Sequence, residues 1–155
     1  MRIVSIVALA AALSTGPSWA IDSTPPETGT AATSVATADE ADALYNSTEE
    51  ADWLKAVGIY RKRADAGDAA AMARLGSMYE DGKGVPSDIE EAVKLYRSAS
   101  ELGDYTAMHR LGALFMVGRG VNKNLETARS YLTKAAKGGV EAAMTALADF
   151  YVGED

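Results

Sequence analysis

The chain has no cysteine, a single histidine (His109), and no apolar run long enough to span a bilayer. Each absence removes a class of function. Without cysteine there is no thiol nucleophile, no disulfide framework and no lipidation site, and one histidine cannot assemble a multi-histidine metal site. Clusters of basic residues are missing too: 15 Lys and Arg are scattered among 22 Asp and Glu, leaving a net charge of −7. Binding to phosphate backbones is driven by clustered cations, so nucleic acid is excluded as a partner, and the acidic balance favours a basic protein surface instead.

The longest apolar stretch, residues 3–13, is about half of the roughly 20 residues that a membrane-spanning helix needs. Met1 and Arg2 precede it, and the small-x-small triplet Ser18-Trp19-Ala20 follows it. That is the layout of a secretory signal peptide (residues 1–20), with cleavage expected after Ala20 and a periplasmic or secreted destination. Its removal takes away Arg2 and no acid, so the mature chain becomes more negative and is expected to have no stable membrane insertion. Residues 21–36 contain Pro25, Pro26 and Gly29 among small polar residues and predict a flexible linker. An exported domain without disulfides must be held by packing alone.

From Thr37 onward the composition turns to Ala, Leu, Met and Tyr at helical spacing, and it repeats. Ala71, Met72, Leu75 and Gly76 recur at Ala107, Met108, Leu111 and Gly112, then at Ala143, Met144, Leu147 and Ala148, each step being 36 residues. Gly82, Gly84 and Val85 recur as Gly118, Gly120 and Val121; Ala92 and Gly103 recur as Ala128 and Gly139. Backwards, the same offset takes Ala92, Tyr96 and Gly103 to Ala56, Tyr60 and Gly67. Recurrence at one period is the signature of a repeat architecture.

Each unit predicts a first helix (A), a loop and a second helix (B). Ala71, Met72, Leu75 and Tyr79 put one apolar stripe along the first A helix. Gly76 and Gly112 lie within that stripe, at a cost of about 1 kcal/mol relative to alanine, which predicts crossing points where helices meet backbone to backbone. Gly82 and Gly84 predict positive φ in the loop, with Val85 plugging the gap between helices. Ser87 with Glu90, and Ser47 with Glu50, predict capping boxes for B helices. Gly103 is expected as a C′ glycine, and Asp68 and Asp104 as N-caps of A helices. Thr37 to Tyr45 reads either as a degenerate A helix or as a helical arm of the linker.

The stretches AMARLGSMYEDGKGVPSDIEEAVKLYRSASELG and AMHRLGALFMVGRGVNKNLETARSYLTKAAKGG resemble the Sel-one-like repeat (SLR) family, relatives of tetratricopeptide repeats. The resemblance implies an all-α fold, a short right-handed α-solenoid of antiparallel helix pairs. Its domain would comprise residues 37–155: a degenerate unit 37–67, full repeats 68–103 and 104–139, and a half-repeat 140–155. For most members it implies a protein-binding adaptor. It also implies a concave face lined by A helices, here presenting Ala73, Ser77 and Glu80, then His109, Ala113 and Met116, then Thr145, Asp149 and Val152. Of these, Glu80, His109, Met116, Ser77 and Asp149 are the candidate partner-binding residues. His109 adds the prospect of pH sensitivity near its unperturbed pKa of about 6.5.

No catalytic set, cofactor site or metal site emerges. The GKG and GRG loops follow helices rather than strands and lack the lysine-serine ending of a phosphate-binding loop. Glu49-Glu50 and Glu90-Glu91 sit in first helical turns, where they complement the helix dipole. Spacing places none of Ser77, Ser98 or Ser130 beside His109 as a nucleophile would require. The functional reading is therefore a non-enzymatic, exported adaptor or regulator that binds another protein. The alternatives are an immunity protein that neutralises a secreted bacterial toxin and, because cysteine-rich relatives are linked to cell-wall or β-lactam ligands, an enzyme acting on such material. The half-repeat at the C-terminal end offers Met144, Leu147 and Tyr151 without a following B helix, a surface suited to self-association.

Overall fold

A computed structural model describes residues 37–152. The expected signal peptide and linker, and residues 153–155, lie outside the described residues. Within them the chain forms α1 (Ala38–Tyr45), α2 (Glu50–Asp65), α3 (Ala69–Asp81), α4 (Ile89–Glu101), α5 (Tyr105–Val117), α6 (Leu125–Lys137) and α7 (Glu141–Val152), with no strand. Consecutive helices pack in pairs along the chain, as an α-solenoid requires. No helix among the described residues is long and apolar enough to cross a membrane.

The A helices start as the sequence predicts. The Asp68 carboxylate accepts the Ala71 N–H at 3.1 Å, and the Asp104 carboxylate accepts the Ala107 N–H at 2.6 Å. Each cap satisfies one of the amides that a helix start leaves without an intrahelical partner. Gly67, Gly103 and Gly139 follow the B helices with φ near +90°, where a side chain would be strained. The stretch before Asn46 is a packed helix: Thr37 caps α1, and Ala41 is fully buried in the core that α2 and α3 share.

The B-helix caps differ from expectation, by one residue at α4 and by two at α2. Asp88, not Ser87, caps α4, its carboxylate accepting the Glu91 N–H at 3.0 Å, and Asn124 does the same for α6. The loop sets this register. The N–H groups of Asp88 and Asn124 donate at 2.9 Å to the carbonyls of Tyr79 and Phe115, which places these residues at the helix start. Ser87 instead donates to the Glu80 carbonyl at 3.2 Å. At α2 the cap position is Glu49, without a side-chain cap. Ser47 accepts the Glu49 N–H and donates to Asp52 at 2.8 Å. That hydrogen bond, followed by the one from Lys55, holds the Asp52 carboxyl below its ordinary range.

The repeating glycines make room for a side chain rather than for a backbone crossing. A Cβ at Gly76 would stand 2.8 Å from the ring of Tyr96, and one at Gly112 would stand 2.7 Å from Leu132 Cγ. Tyr60, Tyr96 and Leu132 occupy the same position of successive B helices and are almost wholly buried. Burying such a side chain stabilises by roughly 1.5–3 kcal/mol. Ala148, at the glycine position of α7, is exposed, so a Cβ there meets no such neighbour.

The G-x-G loops join one unit to the unit before it. Gly84 has φ +67°, and a Cβ there would lie 2.7 Å from the Trp53 backbone near the start of α2; Gly120, φ +69°, packs instead on the Ile89 side chain at the start of α4, with the Ile89 carbonyl oxygen 3.3 Å from its Cβ position. Val85 and Val121 pack against the adjoining cores. These glycines serve the repeat interface, in keeping with the structural role read from the sequence.

Candidate functional site

The odd-numbered helices approach one another: α3 touches α5 and α5 touches α7, whereas no comparable contact joins α2, α4 and α6. The stack therefore curves toward the A helices. Along this inner side lies a cavity of about 190 Å³ between α1, α3 and α5, and its polar lining includes Asp42, Tyr60, Arg63, Arg74, Ser77 and Arg110.

These side chains are ordered by a relay that recurs with the repeat. The Tyr60 hydroxyl on α2 donates to the Asp42 carboxylate on α1, and Arg74 of α3 pairs with the same carboxylate at 3.2 Å. One unit on, the Tyr96 hydroxyl of α4 donates to Glu80 of α3 at 2.8 Å, and Arg110 of α5 stands 3.9 Å from Glu80. Arg119 approaches Glu80 from the following loop at 3.6 Å. Tyr60 with Tyr96, and Arg74 with Arg110, are each 36 residues apart. Burial first, and then the neighbouring carboxylate, push both tyrosine hydroxyls above their ordinary range, although Ser77 acts in the opposite sense on Tyr96. Both phenols thus remain protonated donors. In the next unit the equivalent positions are Leu132, Met116 and Ala146, which pack together as an apolar cluster. The relay stops there.

Arg63 is held differently. Both its Nε and Nη2 donate to Asp68, the first at 2.9 Å. Burial alone would raise the Asp68 carboxyl, but the Ala71 N–H and Arg63 outweigh it and hold it below the usual range.

The five residues proposed from sequence do not converge. Ser77 is 7% exposed and forms the floor of the cavity. Its hydroxyl contacts the Ala73 carbonyl at 3.3 Å and the Tyr96 hydroxyl at 3.1 Å, which ties α3 to α4. Glu80 is 12% exposed at its side chain and already engaged by Tyr96 and the two arginines, which makes it a support for the face instead of a rim charge. Met116 packs against the core around Leu132. His109 is half-buried and outside the cavity lining; burial, then the Arg110 charge, lower its pKa. Asp149 is exposed on α7, likewise away from the cavity.

Sequence reasoning missed Asp42, Arg74 and Arg110. A signal was present for the arginines: a charged side chain recurring at the repeat period on an A helix is not needed for packing. Asp42 had none, because α1 departs from the period.

A curved stack of helix pairs with a polar groove on its inner side defines an α-solenoid of the repeat-scaffold class. The Sel1 repeat family model matches residues 69–104 and 106–140. The chain belongs to the Sel1 repeat family. Among solved structures it is similar to a Sel1 repeat protein from Oxalobacter formigenes, at 36% identity and TM-score 0.63, over 66% of this chain and 42% of that one. A protective antigen of uropathogenic Escherichia coli with an SLR fold matches at 35% identity and TM-score 0.61, over 63% and 21%. Cysteine-rich protein B of Helicobacter pylori matches at 31% identity and TM-score 0.55, over 59% and 68%. The chain therefore spans less than half the length of the first two. No curated protein matches.

Proposed function

We propose that this chain is an exported, non-enzymatic adaptor or regulator that docks a partner protein on the groove between α1, α3 and α5. Sel1 repeats characteristically mediate protein–protein interaction. The observation that carries the reading here is the groove itself: three helices from different units contribute to one polar recess, and its side chains are held in place from beneath by Tyr60 and Tyr96. Groups ordered before binding lose less entropy when a partner arrives. Export rests on the layout of residues 1–20.

The test is site-specific photo-crosslinking in intact cells from the full chain. A crosslinker at Thr106, which lines the groove, should capture one discrete protein, and one at Lys94, exposed on α4, should not. Capture of a resident envelope component supports the adaptor role, whereas capture of a toxin delivered from outside would assign the immunity role instead. Amino-terminal sequencing of the purified protein should find Ile21 first. Capture from Lys94 alone would remove the groove from the proposal.

A further inference from the structure

We infer that α7 pairs antiparallel with α7 of a second copy of this chain about a twofold axis, Leu147 of each copy meeting Ala148 of the other. The inference is independent of the groove and starts from what α7 lacks. On α3 and α5, the positions of Gly76 and Gly112 receive Tyr96 and Leu132 of the B helix that follows. Phe115 of α5 likewise stacks on Tyr131 of α6, with ring centroids 5.9 Å apart. The equivalent positions on α7 are Ala148 and Tyr151, and among the described residues no helix follows to cover them. Met144, Ala148 and Tyr151 are exposed. Leu147 is only partly covered, although its counterparts Leu75 and Leu111 are buried. These four residues stand at i, i+3, i+4 and i+7 and form one apolar stripe along the helix.

Ala148 decides what can cover the stripe. A Cβ at Gly76 or Gly112 would stand 2.8 or 2.7 Å from the B-helix side chain, so the methyl group of Ala148 excludes a helix seated as α4 and α6 are. A second α7 fits. Turned about a point between Leu147 and Ala148, the stripe sets Leu147 opposite Ala148 and Met144 opposite Tyr151. Each pair then occurs twice, as an isologous twofold contact requires. Leucine against alanine fills the centre without the clash that a second large side chain would cause. A methionine sulfur beside an aromatic ring is a favourable contact. Asp149 falls opposite Ala146 of the other copy, so no two carboxylates of the described helices are brought together. The charges at the helix ends agree with this direction. The last turn of α7 has no basic residue, and antiparallel pairing sets it beside the start of the other α7, which follows the α6 turn carrying Lys134 and Lys137. Cations are favourable near a helix C-terminus. A parallel pair would instead set tyrosine on tyrosine and like helix ends together. Four side chains bury far less than the roughly 800 Å² per partner of a standard interface, so the pair forms and dissociates with concentration.

Because the chain has no cysteine, single-cysteine variants of the full chain, purified after export, report this register without background. In the antiparallel pair residue 148 is offset from its twofold mate by about 1.5 Å along the helix axis, and residues 144 and 151 by about 10 Å from theirs. The second offset exceeds the roughly 7 Å between Cα atoms that a disulfide can span. Under mild oxidation Ala148→Cys should form a disulfide-linked dimer. Met144→Cys and Tyr151→Cys should each react at least about tenfold more slowly alone, while an equimolar mixture of the two should form the mixed dimer at a rate near that of Ala148→Cys. Ser130→Cys, exposed on α6, gives the rate of random collision. An Ala148→Cys rate no faster than that of Ser130→Cys overturns the pairing. So do Met144→Cys and Tyr151→Cys rates that match their mixture, which a parallel pair would produce. Ala148→Glu provides a readout without crosslinking: a carboxylate forced into the contact should weaken association at least about tenfold in sedimentation equilibrium, with unchanged helical circular dichroism. Unchanged association of that variant would place the contact elsewhere and reject the inference.

Discussion

Gly112 has the sharpest energetic consequence, because two opposed terms of known size meet there. Replacing a helical glycine with alanine stabilises an open site by about 1 kcal/mol. At Gly112, however, the added Cβ would stand 2.7 Å from Leu132 Cγ, 2.9 Å from its Cδ2 and 3.3 Å from the Ala128 carbonyl oxygen. Leu132 is fully buried and Cγ is a branch point close to its backbone, so it cannot swing away freely. Overpacking of this kind costs about 1–3 kcal/mol. The net expectation for Gly112→Ala is a loss of about 0–2 kcal/mol, and Gly112→Leu should lose more. Gly58, in α2, supplies the control: nothing lies within 4 Å of a Cβ there, so Gly58→Ala should stabilise by about 1 kcal/mol. Equilibrium urea unfolding followed by circular dichroism measures both. Truncation to Leu132→Ala costs about 2–5 kcal/mol on its own, but in that background Gly112→Ala should become stabilising, since its methyl group fills part of the space vacated. Equal stabilisation by alanine at positions 58 and 112, or a Gly112→Ala effect that ignores Leu132→Ala, would refute the close contact.

Tyr96→Phe removes the hydroxyl that satisfies Glu80 and contacts Ser77, so it should destabilise by about 1–3 kcal/mol in urea unfolding while retaining the helical signal; a change smaller than that of an exposed tyrosine such as Tyr105 would sink the relay. His109 has a folded-state pKa below its unfolded value, so the unfolded chain takes up the proton first: its contribution to stability is intact above about pH 6.5 and falls as the pH drops below it. The difference in urea midpoint between parent and His109→Gln should therefore shift against the parent from pH 7.5 to 5.5, and a constant difference would contradict the burial of the ring. Met144 and Tyr151 are 48% and 56% exposed on α7, an apolar edge that should produce concentration-dependent sedimentation relieved by Tyr151→Ser; unchanged monomer at every concentration would reject self-association.

The period of 36 residues, the order of helices, the aspartate caps of the A helices and the buried alanines were all legible in the amino-acid sequence, because each is imposed by a local contact that every unit makes afresh. Recurrence reports such contacts directly. It does not report what presses on a residue, so Gly76 and Gly112, read as backbone crossings, proved to accommodate the side chains of Tyr96 and Leu132, which only the packed helices revealed. The α4 cap slipped by one residue because a loop hydrogen bond to Tyr79, across the turn, chooses Asp88 over Ser87. The groove is the feature furthest from the sequence. Asp42, Tyr60 and Arg74 come from three helices, and whether an arginine there is solvated or faces a carboxylate depends on how consecutive units stack. The same stacking buried Ser77 and left Glu80 only partly exposed, although their helix positions alone had placed both on an open concave face. Local chemistry determined the repeat, and the curvature of the stack decided which side chains meet.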